Sequence, residues 1–249
     1  QKVKERTAEV VAQKEELAQK NKDITDSIRY AKRIQFAILP PKSPFPNTFI
    51  LFKPKDIVSG DFYWFTEMEG KEFIAAVDCT GHGVPGAFMS IIGHNSLNKI
   101  VNQHGILDPG SILSELNHEV VETLRRSDED GDVYDGMDLS LIAYDKEKTE
   151  LQYAGAYNSI YLIRKKELTE VKADRQPIGL AAGKDKVFTT QNLVIEKGDM
   201  IYMFSDGYAD QFGGESLKKF KSKNMKELMV RISGESVEKQ RIILEDAIE

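Results

Sequence analysis

The stretch "AAVDCTGHGVPGAFMS", residues 75–90, begins as a run of small and branched apolar residues. It breaks at Asp78 into Gly81, His82 and Gly83, and resumes as an apolar segment of helical character. A strand that ends in an acid and turns through glycine into a helix is an α/β junction. The acid has an ordinary explanation, since aspartate caps helices and closes tight turns. It becomes a candidate site residue when other strands deliver partners to it.

Two stretches do so. "MIYMFSDGYAD", residues 200–210, is a second apolar strand ending in an acid, Asp206, again followed by glycine, with Asp210 four residues later. "IVSGDFYWF", residues 57–65, sets Asp61 after Gly60 at the mouth of a third. Three apolar strands with an acid at one end can converge their carboxylates at one edge of a sandwich. Crowded carboxylates repel and are expensive to desolvate, so a multivalent cation among them is the natural counterpart. Oxygen ligands alone select hard ions, Mg²⁺ or Mn²⁺. Neighbouring glycines let main-chain carbonyls and waters approach such ions.

The remaining pattern frames these strands. In residues 1–39, Val3, Val10, Leu17, Ile24, Ala31 and Ile38 recur every seventh position, the seam of a coiled coil. The companion seam, Thr7, Lys14, Asn21, Ile28 and Gln35, is mostly polar. Two readings stand: a marginal parallel coiled coil, or a solvated helix that docks its C-terminal cluster of Ile28, Ala31, Ile34 and Ile38 on the next domain. Pro40 and Pro41 end it. Strands are expected in "TFILFKPK" (48–55), "DFYWFTEM" (61–68) and "KEFIAAVDC" (71–79), then helices over 84–103 and 108–126, the second opened by Asp108-Pro109. An acidic loop (127–136) precedes an antiparallel meander of four strands over 137–173. After a loop at 175–185, "KVFTTQNLVI" and "MIYMFSDG" read as a hairpin about "EKGD", and helices over 216–232 and 236–249 close the chain. Hairpin-rich strands with helix pairs midway and at the end predict an α+β fold, layered sheets covered by helices on both sides.

Composition narrows the function classes. The 249 residues are 41% hydrophobic, enough for a substantial core. A net charge of −6 argues against a nucleic-acid binder, which needs surplus positive charge. One cysteine excludes an internal disulfide and suits a reducing compartment. No apolar run reaches the roughly 18 residues that span a bilayer. With Gln1 in place of Met, the expectation is a cytoplasmic domain of a larger protein, compatible with a membrane anchor elsewhere in it.

Taken in order, "SGDFYW", "AAVDCTGHGVPGAFMS", "GMDLSLIAYD", "RQPIGL" and "FSDGYADQF" resemble the SpoIIE/RsbU-type serine phosphatases of bacterial signalling, a branch of the metal-dependent PPM (type 2C) protein phosphatases. The resemblance runs from Ser27 to Ile248, and the ordered set is specific where a lone glycine-rich run is not. It implies an α-β-β-α sandwich over residues 45–249, preceded by a helical coiled-coil linker over 1–39, with a site for two Mn²⁺ or Mg²⁺ ions at one end of the sheets. Asp78 would bridge both metals, the Cys79 main-chain carbonyl would complete the ligands of the first, Asp206 would bind the second, and Asp61 would hold a water on the metal. His82 stands where many PPM enzymes carry a histidine that protonates the leaving oxygen; a loop-packing histidine is the alternative. Asp138 and Asp135 lie near a region that contributes an additional metal in some relatives, though Asp138 could simply cap a strand, and Asp210 would act one layer out.

The implied chemistry is hydrolysis of phosphoserine or phosphothreonine on a partner protein, typically an anti-sigma-factor antagonist, by a metal-activated water without a covalent phosphoenzyme. An upstream sensor domain and a homodimer through residues 1–39 complete the expectation. One departure stands out: family members close with a strand carrying an Asp-Asp pair, whereas this chain stops at "LEDAIE", where Glu245-Asp246 sits in a helical pattern. A phosphatase domain short of that strand, and a non-enzymatic pseudophosphatase acting as a dimeric partner-binding module, are both open at this point.

Overall fold

The computed structural model describes residues 2–125, 135–179, 185–213 and 218–248. Helix α1 (Lys2–Ile38) has neither Gly nor Pro along its length and is rich in Ala, Glu, Lys and Gln, the strong helix formers. Strands β1 (Phe62–Met68) and β2 (Lys71–Cys79) form a hairpin, and helices α2 (Gly83–Asn98) and α3 (Pro109–Arg125) follow. A π-helical turn, Lys99–Gln103, extends α2. As the sequence predicts, Asp108 caps α3, accepting from the Ser111 N–H at 2.9 Å. Strands β3 (Gly136–Asp145), β4 (Glu150–Ala156), β5 (Ile160–Arg164), β6 (Glu167–Val171), β7 (Ile178–Gly179), β8 (Gln191–Val194) and β9 (Met200–Tyr202) come next. Short helix α4 (Gly207–Asp210), the paired β10 (Phe212–Gly213) and β11 (Lys218–Lys219), and helices α5 (Ser222–Ile232) and α6 (Val237–Asp246) complete the order.

Among the described residues, the pairings between named strands are antiparallel. The larger sheet runs β1-β2-β3-β4-β8, with β7 paired to β3; the smaller runs β6-β5-β9. Alternation along each strand assigns its faces. Phe73, Ala75, Val77 and Cys79 of β2 join Leu97, Ile112 and Leu116 in a core beneath α2 and α3. Tyr161 and Ile163 of β5 meet Met225, Leu228 and Met229 of α5 on the opposite flank. Between the sheets lie Ile142, Leu151, Tyr153, Ile160 and Val171. The layers are therefore α-β-β-α, as expected.

Three local expectations need correction. Residues 48–55 form no strand: Phe49 and Leu51 pack toward the α5 flank while Phe52 packs toward the α2–α3 core, so their apolar character serves two cores and no ladder. The four-strand meander divides, with β3 and β4 in one sheet and β5 and β6 in the other. The hairpin about "EKGD" is also absent, because β8 pairs with β4 and β9 with β5. The turn itself exists, Asp199 N–H donating to the Glu196 carbonyl at 3.1 Å. Arg164 of β5 spreads its flanks: it donates to both Asp199 carboxylate oxygens (2.9 and 2.6 Å), to Glu196 and to the Val194 carbonyl.

At the end of α1, Ile28, Ala31 and Ile38 are half-buried as a docking face requires, but Ile34 is exposed and Gln35 is buried in its place. Val3, Val10, Leu17 and Ile24 remain 58–78% exposed. Of the acidic loop, only Asp135 and Gly136 fall within the described residues; 180–184 and the expected helix start at Ser216 lie outside them. Among the described residues, no helix is long and apolar enough to cross a membrane.

Candidate metal centre

The pairing register builds the site. Asp78 of β2 stands directly opposite Asp138 of β3. On the other side, Phe62 pairs with Val77, and one residue earlier the same register sets Asp61 beside Asp78. Val77, Met137 and Phe62 all face the α2–α3 core, so their neighbours Asp78, Asp138 and Asp61 turn toward the second sheet. From that sheet, just past β9, comes Asp206, the residue that precedes α4. Ser205 links the two sheets by donating its hydroxyl proton to Asp61 Oδ2 at 2.7 Å.

Like charges directly opposite one another on adjacent strands destabilise a sheet. The titration of these acids carries that strain. Burial, then the charges of Asp61 and Asp206, a hydrogen bond to Asp61 and the charge of Asp138 push Asp78 up to about 7. Burial and Asp206 push Asp138 up to about 6. Asp206 is raised by burial, Asp210 and Asp61, while Lys219, ion-paired to Asp210 at 2.7 Å, pulls it the other way. The Cys79 thiol is driven well up by burial, then by Asp61, Asp78 and Asp135, which keeps it protonated.

A cavity of about 270 Å³ opens here, lined by Asp78, Cys79, Thr80, Asp138, Ile178 and Asp206 among others. Its rim is tied by Thr80, whose hydroxyl donates to Asp135 at 3.0 Å and accepts from the Gly136 N–H at 2.9 Å. Beside it the chain turns through Gly81 (φ +84°) and Gly83 (φ +66°), a conformation that favours glycine. A Cβ on Gly86 would stand 2.7 Å from the Gly81 carbonyl, and one on Gly60 3.1 Å from the Cys79 carbonyl. These close backbone contacts draw residues 59–61, 79–81 and the start of α2 together.

The donor set suits a hard divalent cation: carboxylates and main-chain carbonyls, mutually repelling in its absence. Among the described residues, no three His, Cys, Asp or Glu side chains form a ready-made ion cage. Mg²⁺ keeps several of its waters and is commonly held by one or two carboxylates, so an open row centred on Asp78 fits it without such a cage.

Of the residues singled out in the sequence, Asp61, Asp78, Asp138 and Asp206 come together. Asp210 sits at the end of α4, exposed and engaged with Lys219. His82 does not line the cavity; its side chain is 86% exposed, with Nδ1 3.1 Å from Asp56 Oδ2. Glu245 pairs with Lys53 and Arg241 on α6. Ser205, Thr80 and Asp56 escaped the sequence reading; only their adjacency to Asp206, Cys79 and Gly60-Asp61 hinted at them.

Residues 69–246, well over half of the chain, match the family described as stage II sporulation protein E (SpoIIE). The chain belongs to the SpoIIE family. It is 26% identical over 193 residues to the phosphoserine phosphatase RsbU of Bacillus subtilis, covering 76% of this chain and 55% of that protein, so it spans little more than half of its curated relative. The PP2C domain of SiaA from Pseudomonas aeruginosa superposes with a TM-score of 0.82 at 31% identity, over 92% of this chain and 90% of that one. A structure of the PP2C phosphatase domain of B. subtilis SpoIIE with a fragment of its regulatory domain shares the fold, with a TM-score of 0.59 at 24% identity over 77% and 53% of the two chains. This SpoIIE-family chain thus has the PP2C-type fold.

Proposed function

We propose that this domain hydrolyses phosphoserine or phosphothreonine esters on a partner protein, with Mn²⁺ or Mg²⁺ as its cofactor. The observation that carries the reading is the row formed by Asp61 at the start of β1, Asp78 of β2 and Asp138 of β3, met by Asp206 from beyond β9. Two ions bound there would supply a water of lowered pKa and positive charge to offset the phosphoryl oxygens. Asp78, at the centre of the row, would hold the metal together with the Cys79 carbonyl and the Asp206 carboxylate. Asp61, fixed by Ser205, orients water, while Asp138 and Asp210 adjust the charge around them.

His82 is assigned the proton that the departing serine oxygen needs. Its Nδ1 lies 3.1 Å from Asp56 Oδ2; with Nδ1–H donated to that carboxylate, Nε2 would be left to exchange a proton with substrate. The open setting of His82 suits a large protein substrate. The resemblance to the SpoIIE/RsbU-type phosphatases supports a small phosphorylated signalling protein, an anti-sigma-factor antagonist, as that substrate. The exposed stripe Val3, Val10, Leu17 and Ile24 supports a parallel homodimer through residues 1–39, receiving its signal from a sensor domain upstream in a cytoplasmic assembly.

Release of phosphate from a phosphoserine peptide, measured with Mn²⁺, with chelator, and in Asp78→Asn and Asp206→Asn, tests the reading. Turnover should need the metal and fall at least about a hundredfold in either variant, as for loss of a principal charge-stabilising group. Undiminished turnover in a folded variant would refute it. A folded wild type that binds a partner but releases no phosphate would favour the pseudophosphatase alternative.

A further inference from the structure

The row of acids has a neighbour beyond Asp138. One residue past the Leu139–Ala156 pair, at the end of β4, comes Tyr157. Its backbone adopts φ +56°, a conformation that bulky side chains avoid, and its ring is 52% exposed, the hydroxyl having no partner among the described residues. Backbone strain of this kind persists where a function holds it. The Tyr157 N–H donates to the Asp174 carbonyl at 2.9 Å, which brings the "RQPIG" segment, residues 175–179, alongside.

That segment is fixed at several points. The Thr189 N–H and hydroxyl donate to the two Asp174 carboxylate oxygens at 2.7 and 3.3 Å, Gln176 Nε2 to the Val187 carbonyl at 2.7 Å, and the Gly179 N–H to Asn117 Oδ1 at 3.0 Å. Pro177 and Ile178 then wall the cavity beside the acids. A wall alone asks for no cation, yet two stand here. Arg175 is exposed, and its guanidinium meets neither a carboxylate nor another acceptor among the described residues. Lys186 is half-buried: its Nζ donates to the Pro177 carbonyl at 3.3 Å, no carboxylate among the described residues pairs with it, and burial lowers its pKa. A half-buried ammonium without a counter-charge is costly, and an anion brought by a partner relieves that cost.

We propose that Tyr157, Arg175 and Lys186 form a docking edge for the substrate protein: the ring packs against its chain, and the two cations take a carboxylate side chain near the phosphoserine. The inference rests on the phosphatase reading of the site. Tyr157 lies two strands from Asp78, about 10 Å at the usual spacing, so an extended substrate places that carboxylate about three residues from the phosphoserine. Aromatic rings and guanidinium groups supply most of the affinity of recognition surfaces, and complementary charge supplies selectivity.

Phosphoserine peptides carrying one glutamate at successive positions, each compared with its glutamine counterpart in the presence of Mn²⁺, test the proposal. The wild type should prefer glutamate at the docking position by about tenfold in kcat/KM, the scale of one charge-assisted contact, and the difference should fall on KM. Arg175→Gln and Lys186→Gln should each reduce the preference. Arg175→Glu should turn it toward lysine at the same position, a reversal that loss of structure cannot produce. Tyr157→Gly, which the positive φ favours, should raise KM for both members of a pair. Lys165→Gln, between β5 and β6, removes the same charge elsewhere and should leave the preference intact. Equal kcat/KM for glutamate and glutamine peptides in the wild type, a preference that survives Arg175→Glu, or an unchanged KM in Tyr157→Gly overturns the proposal. So does an equal loss in Lys165→Gln, which would reduce the effect to net charge. If no peptide is hydrolysed, the phosphatase reading fails, and fluorescence anisotropy of the same peptides, labelled and in chelator, decides the docking edge separately. Tighter binding of the glutamate peptide by the wild type and not by Arg175→Glu supports it; equal binding overturns it.

Discussion

Asp78 concentrates the physics of this domain. Its carboxyl, held near 7, takes up a proton on folding across the window from about 4, the ordinary carboxylate value, to about 7. The folded state binds more protons there than the unfolded one, so in chelator the domain should lose stability as pH rises through that window. Melting curves between pH 4.5 and 8 check the sign; stability that climbs over this range would contradict it. Asp78→Asn removes the repulsion and keeps the shape. Discounted for partial exposure, it should stabilise the metal-free protein at pH 7.5 by on the order of 1 kcal/mol, about 2–4 °C in melting temperature, while abolishing the gain from Mn²⁺. Cys79 shows the opposite use of a residue. Its thiol is buried and protonated, so Cys79→Ser should retain most turnover, and loss of turnover with the fold intact would point to thiol chemistry. Asp61, Asp78 and Asp206 were legible because each sits at one end of an apolar stretch of sequence. Ser205 was not, since its partner lies 144 residues away and a long-range hydrogen bond leaves no periodic trace.

Strand and helix types were readable from period wherever one face met a core, as in β2 and β3. Destination was less readable. The turn at Glu196–Asp199 looks like a hairpin because its local chemistry is that of one, and only Arg164, on a distant strand, directs its two flanks into different sheets. Asp199 has a side chain just 5% exposed, so Arg164→Ala would leave a buried carboxylate unpaired. Denaturant titration should show a clear drop in the unfolding midpoint; a midpoint equal to wild type would assign the crossing to packing alone. Close backbone approach sets a second demand. Gly86→Ala would press a methyl group 2.7 Å from the Gly81 carbonyl, forcing the turn that follows Asp78 to shift, and should weaken both stability and Mn²⁺ binding. For α1, replacing Leu17 and Ile24 together with Glu should convert dimers to monomers in sedimentation; an unmodified chain that is already monomeric at high micromolar concentration would remove the coiled-coil reading.

The layered fold explains why acids so far apart in sequence meet. Each sheet buries one face beneath its helices and the other against its partner, and the open end of the inter-sheet seam is where Asp78 and Asp138 project from one side and Asp206 arrives from the other. The fold supplies a place where negative charge is gathered and half-desolvated, and the family supplies the expectation of phosphatase chemistry there. The central claim is that this charge exists to hold divalent cations. Calorimetric titration of Mn²⁺ into chelator-stripped protein near pH 6.5, repeated in two buffers of different ionisation heat, tests it most directly. Because the carboxyls held near 7 and 6 must ionise to accept a cation, binding should release protons to the buffer, and Asp78→Asn should abolish it. Failure of the folded wild type to bind Mn²⁺, or binding that releases no proton and survives Asp78→Asn, would contradict the account.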